Sequence, residues 1–247
     1  MKRIAIIQPG YLPWLGYFEQ IIRSDVFVYL DDVQFTKSDW RNRNRIKTKD
    51  GVQWLTVPVV SDFGKHINQT VIADRSKWQR KHLQALRTWY NKARYFEDYF
   101  DEVGALISKQ WKYISDLDIG LTDWIIDKLS LDVKVHISSD LQVKEVDKQL
   151  RIIEICNRLG CDHFYEGKKG MDYIDTSLFD RNGITVEFQD YAHPVYDQLW
   201  AKEQGFISHL SVIDLLLNHG KESADIIALR RIVDKVSQIE VKHADSV

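Results

Sequence analysis

Residues Ile4–Phe18 read IAIIQPGYLPWLGYF. Four consecutive apolar residues run into a Gln-Pro-Gly turn, and an aromatic-rich segment follows before any polar face appears. A short, unbroken apolar run bounded by turn formers is the pattern of a strand buried on both faces, as in a parallel sheet. From Trp14 to Ser24 the spacing of Leu15, Phe18, Ile21 and Ile22 predicts a helix with one apolar face. Val26–Leu30 reads as a second buried strand, closing in the pair Asp31-Asp32. Strand, helix and strand over about thirty residues make a βαβ unit, whose crossover is right-handed. Gln8-Pro9-Gly10-Tyr11 is then a strand-end loop, the place where open α/β sheets bind ligands.

Outward from this unit, Val52–Val59 alternates around Trp54 and stops at Pro58, and pairs as a ribbon with Thr36–Lys47. Residues 76–131 read as almost entirely helical: Ser76 caps a helix through Tyr90, and Phe96–Tyr113 and Leu117–Leu129 follow. Val133–Ile137, Asp162–Glu166 and Ile184–Gln189 read as strands. Between them lie Lys148–Leu159, an amphipathic helix ended by Gly160, and a short helix over Tyr173–Asn182. Leu210–Asn218 is a helix capped by Ser208 or Ser211 and stopped by Gly220, and the remaining C-terminal helix is polar. The expected fold is α/β: one domain with an open, mostly parallel sheet, helices on both faces and a mainly helical insertion at about 76–131.

The 247 residues carry 34 basic and 36 acidic side chains, a formal net charge of -2. No global field therefore favours nucleic acid or an anionic membrane. No apolar run is long enough to cross a bilayer, and the opening apolar run ends too soon in Gln-Pro for a signal peptide. Cys156 and Cys161 have the spacing of neither a zinc pair nor a disulfide framework, so both are read as buried thiols in a reducing, cytoplasmic setting.

The opening stretch and its sequel SDVFVYLDDVQFTKSDWRNRNRIKTKDGVQWLTVPV resemble the WbqC-like family of bacterial proteins. The resemblance continues through WQRKHLQALRTWYNKARYF, RIIEICNRLGCDHFYEG and SHLSVIDLLLNHG, nearly the whole chain. It implies a place in surface-polysaccharide synthesis, O-antigen included, more firmly than it implies a reaction. Members often carry His before Gln-Pro, where Ile7 stands here, and commonly Ser-Gly where Glu166-Gly167 stands. Chemistry resting on either family position is not carried over. The start also resembles nucleotidyltransferases of the HxGH type, with Trp14-Leu15-Gly16-Tyr17 in the comparable place but without either imidazole. There Gly16 would let a phosphate approach the helix N-terminus.

Gln8, Tyr11, Trp14 and Tyr17 offer an amide, two phenols and an indole beside one loop, a set suited to a sugar or base ring. Aromatic residues there could equally plug the top of the sheet, and for Trp14 the two readings weigh the same. Either Asp31 or Asp32 is expected to act as general base, to bind a ribose or sugar hydroxyl pair, or to hold Mg²⁺ with a nucleotide, the other to cap a turn. In DWRNRNRIK the residues Arg41, Arg43, Arg45 and Lys47 alternate with Asn42 and Asn44, beside Trp40. A row of guanidinium groups matches the oxygens of a diphosphate, and a solvated, charge-protected edge strand is the plainer alternative. Ser138 follows the third strand of the sheet, and Glu166-Gly167-Lys168 the fourth. For Asp214 and Asn218, four apart on one helix, packing at a polar face is expected. The histidines form neither HxxxH nor HExxH, and there is no GxSxG, so no metal site or serine acyl-enzyme is expected.

These features suggest transfer of an acyl or aminoacyl group to an amino sugar carried on a nucleotide or lipid diphosphate. The expected partner is that diphosphate-bearing small molecule, and no cofactor is assigned. A non-catalytic protein that holds a pathway intermediate, or a degenerate nucleotidyltransferase, would use the same residues differently.

Overall fold

The computed structural model describes residues 1–37, 39–60, 64–73 and 77–229. The chain begins with β1 (Arg3–Ile7), α1 (Leu15–Ile22) and β2 (Val26–Tyr29). An antiparallel ribbon of β3 (Arg43–Thr48) and β4 (Gly51–Thr56) follows, then a smaller one of β5 (Val59–Val60) and β6 (Val71–Ile72). Three helices come next, α2 (Trp78–Tyr90), α3 (Phe96–Ser108) and α4 (Ile114–Lys128). Strands return with β7 (Lys134–Ile137), α5 (Lys148–Leu159), β8 (His163–Glu166), α6 (Thr176–Arg181) and β9 (Thr185–Phe188). The described chain closes with α7 (Ala201–Gln204), α8 (Val212–His219) and α9 (Ser223–Ile227).

Five strands form one wholly parallel sheet in the order β7-β2-β1-β8-β9. The register sets Ile4 against Val26 on one side of β1 and against Phe164 on the other. Ala5, Phe27 and Tyr29 face a large core with α1, the three inserted helices and α8. Ile4, Ile6, Val26 and Val28 face a second core with Ile153 and Ile155 of α5 and Phe179 of α6. Two covered faces explain why these strands carry no polar alternation, and each fully buried large side chain contributes roughly 1.5–3 kcal/mol. The fold is therefore the expected α/β sheet with helices on both faces.

Three boundaries differ from the sequence reading. The ribbon starts at Arg43 rather than Thr36, because side chains and backbone tie residues 40–42 elsewhere: Trp40 O accepts from Tyr11 N at 3.1 Å, and Asn42 Nδ2 donates to Val57 O at 2.8 Å. Residues expected as one helix over Phe96–Tyr113 stop at Ser108, and α4 starts already at Ile114, where Ile114 N reaches Thr70 O at 2.9 Å. The 168–172 segment is a 3₁₀ turn, so α6 is shorter than Tyr173–Asn182. Ser211 caps α8 by accepting from Ile213 N, and Gly160 ends α5 at φ +64. The proposed Ser76 cap and the polar C-terminal helix lie outside the described residues.

The first loop is clamped. Gly10 has no room for a side chain: a Cβ there would lie 3.1 Å from Trp40 O. Leu12 sits at φ +43, a conformation costing a β-substituted residue about 1 kcal/mol or more. Asn44 Nδ2 holds it by donating to Leu12 O at 2.7 Å and Tyr11 O at 3.3 Å. From the other side Ser211 N donates to Arg45 O and Val212 N to Pro13 O.

Behind the ribbon, Asp214 is buried and accepts from Tyr90 Oη at 2.6 Å, Tyr196 Oη at 2.8 Å and Gln198 Nε2 at 3.1 Å. Lys47, 0% exposed, donates to Gln198 Oε1 at 2.9 Å and also to Gly205 O. Asp214 supplies the nearby countercharge. Asp214→Ala strips a buried cation of that charge and leaves two buried phenols short of an acceptor. We expect it to lower unfolding free energy by about 3 kcal/mol, measured by urea denaturation, and Asp214→Asn to cost less.

Candidate functional site

Strand order reverses direction between β1 and β8, so the loops leaving these two strands diverge to opposite faces. The gap between such loops is where a doubly wound sheet binds ligands. Because all five strands are parallel, Gln8, Asp31-Asp32, Ser138 and Glu166-Gly167 leave the sheet at one edge. Gln8 and Glu166-Gly167 flank the reversal itself, and Leu30 N donates to Ile7 O at 2.9 Å, which seats the acidic pair beside Gln8.

The acidic pair is heavily engaged. Asp31, 4% exposed, accepts from Asn68 Nδ2 at 3.0 Å, Ser138 Oγ at 3.0 Å, Ser139 N at 3.0 Å and Ser139 Oγ at 2.8 Å. Asp32 pairs with Arg151 of α5 and touches the Ser138 hydroxyl. Through these contacts the acidic pair, one member of which was expected to be functional, ties the ends of β2, β7 and α5 together.

Glu166 has a different environment. Its carboxylate accepts from Tyr173 Oη at 3.3 Å, and Gly170 lies so close that a Cβ there would fall 2.3 Å from Glu166 Cγ. Burial pushes the Glu166 carboxyl up to about 7 against the Tyr173 hydrogen bond and the Gly167 N–H, which favour the charged form. It thus carries the near-neutral carboxylate expected of a general base. Lys168 is exposed, 3.4 Å from Asp190.

The aromatic and basic residues divide into three sets. Trp14 is N-cap of α1 without a side-chain cap bond, and its ring lies over the first turn: a Cβ on Gly16 would be 2.2 Å from the indole. The same ring stacks on His209 at 5.0 Å and His193 at 6.3 Å. Gly16 therefore makes room for Trp14, where the sequence suggested room for a phosphate. Tyr11 is wholly buried, its hydroxyl 2.8 Å from His82 Nδ1. Burial lowers His82 to about 4. On the ribbon, Trp40 and Trp54, each 43% exposed, lie 5.5 Å apart. Arg43 sits 4.5 Å over Trp54, and Arg45 5.7 Å from Trp40. Arg45 also donates to His209 O at 3.1 Å. Asn42 and Asn44 point inward as alternation requires, but Lys47 departs from the basic row because its ammonium is drawn into the Gln198–Gly205 pocket near Asp214.

Tyr17 and Arg41 form the third set, with a residue that sequence reading passed over. Asp118 is 0% exposed on α4, and neither of its oxygens has a hydrogen-bond partner. The Tyr17 hydroxyl and Arg41 Nε are likewise unpartnered. Charge interactions link all three: Arg41 acts on Tyr17 and on Asp118. The signal for Asp118 was present, since Ile114, Leu117, Asp118, Leu121 and Ile125 occupy one helical stripe, with an acid in the apolar row.

Among the described residues, no group of three His, Cys, Asp or Glu is placed to hold a metal, and no helix is long and apolar enough to cross a membrane. The wholly parallel sheet with helices on both faces defines a doubly wound α/β protein whose strand order reverses between β1 and β8. A model of the WbqC-like protein family matches residues 8–226, and the chain belongs to that family. It is similar to the uncharacterized protein Rv1507c of Mycobacterium tuberculosis, at 36% identity over 229 residues, 91% of this chain and 97% of that protein. No solved structure matches significantly.

The Glu166 environment has a measurable consequence for stability. The carboxyl titrates near 4.5 when unfolded and at about 7 when folded, so the folded state holds the extra proton between those values. Stability associated with Glu166 is complete below pH about 4.5 and is lost as pH rises through about 7. Glu166→Gln removes this dependence. Urea melts across that range should show the variant gaining on the native protein as pH rises.

Proposed function

We propose that the protein is an enzyme of bacterial surface-polysaccharide synthesis, of the O-antigen type, that transfers an acyl or aminoacyl group to an amino sugar on a nucleotide or lipid diphosphate. The observation carrying this reading is the position of Glu166 at the carboxyl end of β8, next to the switch point, where burial pushes its carboxyl up to about 7. The family resemblance supports the pathway. In this reading Glu166 takes the proton as the sugar nitrogen attacks the donor carbonyl, and the donor's leaving group departs with the electron pair of the broken bond. A base with a pKa near the working pH is matched to that task. Trp40 and Trp54 offer stacking faces for a base, and Arg43 and Arg45 offer charge to the diphosphate. Asp31 and Asp32 position the loops at the β2 and β7 ends in place of acting as the base.

Turnover is to be assayed with nucleotide-linked amino sugars and acyl or aminoacyl donors. Glu166→Gln should lower kcat by about 10²–10⁴-fold with little change in KM for the sugar. If the native protein binds such a sugar by calorimetry without turning it over, and Glu166→Gln binds it equally, the protein is instead a carrier of the intermediate.

A further inference from the structure

His209 is an exposed residue whose position is fixed by four contacts. Its ring lies on the Trp14 indole, with centroids 5.0 Å apart and planes 21° from parallel. Its Nδ1 is 2.8 Å from Ser208 Oγ, and its backbone N–H donates to His193 Nε2 at 3.1 Å. Its carbonyl accepts from Arg45 Nη2 at 3.1 Å. Together these contacts hold it at φ +57, a left-handed conformation in which a β-substituted residue is strained. Such a conformation persists only where the surroundings over-determine it, and it marks functional positions more often than others. The remaining ring nitrogen, Nε2, has no hydrogen-bond partner among the described residues and lies on an exposed side chain.

The two neighbouring imidazoles are set for different tasks. A carbonyl oxygen can only accept, so the 2.9 Å contact of His193 Nδ1 with Pro194 O puts the His193 proton on Nδ1. Its Nε2 is then the lone pair that accepts from His209 N, and burial lowers His193 below the usual imidazole range. His193 is thereby a neutral strut. The partner of His209 Nδ1 is a hydroxyl, which can accept or donate, so His209 can take up a proton without losing that bond. In the cationic form its Nε2 offers an N–H to a ligand. The charged and titratable groups against His209 are His193, in the segment after β9, and Arg45 on β3. Trp14 and Ser208 carry no charge.

Arg45 brings a fixed positive charge to the same residue. It makes no ion pair with any described residue, its Nε has no hydrogen-bond partner, and its other contacts are the Trp40 and Trp54 rings at 5.7 and 5.8 Å. Donors and positive charge without a facing carboxylate fit an oxyanion. A cationic ligand would meet like charge, and a neutral hydroxyl would leave the guanidinium unanswered. We propose that His209 and Arg45 together hold a phosphate group, His209 Nε2–H donating to one phosphoryl oxygen and the guanidinium to another. Trp14, Ser208 and His193 position the imidazole. The inference rests on the diphosphate-bearing ligand of the proposed function and extends its site from the β3–β4 ribbon to residue 209, on the far side of Trp14 from Gly16 or not. Because phosphate favours the protonated imidazole, affinity rises as pH falls.

The test is isothermal calorimetry on the full chain at pH about 6 and about 8. The probes are UDP-, dTDP-, GDP-, ADP- and CDP-glucose and a short-chain prenyl diphosphate-linked sugar, all diesters whose charge is constant over that range. At least one should bind the native protein, about threefold or more tightly at the lower pH. Binding by either class supports the proposal, and the class that binds names the carrier. His209→Asn, a residue that tolerates the left-handed backbone, should weaken binding about tenfold at the lower pH and remove the pH dependence. Arg45→Met should weaken it at both pH values. In the native protein, saturating ligand should shift the His209 ring resonances in nitrogen-edited NMR and leave those of His193 in place, a readout independent of how the variants fold. If no probe binds, the diphosphate reading and this inference fall together. If a probe binds but His209→Asn keeps both the affinity and its pH dependence, or the His209 resonances do not move, this inference alone is overturned.

Discussion

A parallel strand paired on both edges and covered on both faces leaves only its ends uncovered, and in doubly wound sheets ligands bind outside the carboxyl ends. That condition holds for β1. Its neighbours β2 and β8 lie on opposite sides, so Gln8 leaves the sheet at the point where the strand order reverses. The rest of the architecture keeps this point fixed. The β3–β4 ribbon lies over the loop from β1, with Asn44 gripping Leu12 and Tyr11 by their carbonyls. The ribbon is in turn held from behind by Lys47, Gln198 and Asp214. Asp214 is thus connected to the first loop through Gln198, Lys47 and β3.

Elements whose pattern is local were legible in the chain. Ile4–Ile7 and Val26–Tyr29 are unbroken apolar runs, and Lys148–Leu159 ends at a glycine in a left-handed conformation. Each carries its own period or its own stop. The 36–42 segment was misread as strand because its structure depends on Tyr11 N and Val57 O, partners remote in sequence. Lys47 obeys the alternation of the basic row in sequence and breaks it in space, since a distant carboxylate and a carbonyl draw its ammonium inward.

The strand-end residues were legible in position, and the groups that surround each of them were not. Parallel strands alone place Gln8, Asp31, Ser138 and Glu166 at one edge, so the strand-end residues could be named from the pattern. Which acid is bonded and which is free depends on what lies against each. Ser138, Ser139 and Asn68 surround Asp31, whereas Glu166 has one phenol and one backbone N–H against a large desolvation. Tyr11 was grouped with Tyr17 by proximity in sequence, yet one phenol meets His82 and the other meets nothing. Asp118, on a helix inserted between β6 and β7, was marked only by its place in an otherwise apolar stripe.

Trp14 has one more effect. With its indole lying across Gly16, the protein covers the first turn of α1 with its own side chain, so the main-chain N–H groups there are screened from an incoming anion. Many nucleotide-binding α/β proteins hold phosphate by backbone dipoles, which are insensitive to side-chain identity. Under the proposed function that recognition falls instead to half-buried guanidinium groups on the β3–β4 ribbon. Affinity for a diphosphate would then depend strongly on ionic strength, and evolution could retune it by exchanging single surface residues without disturbing the sheet beneath.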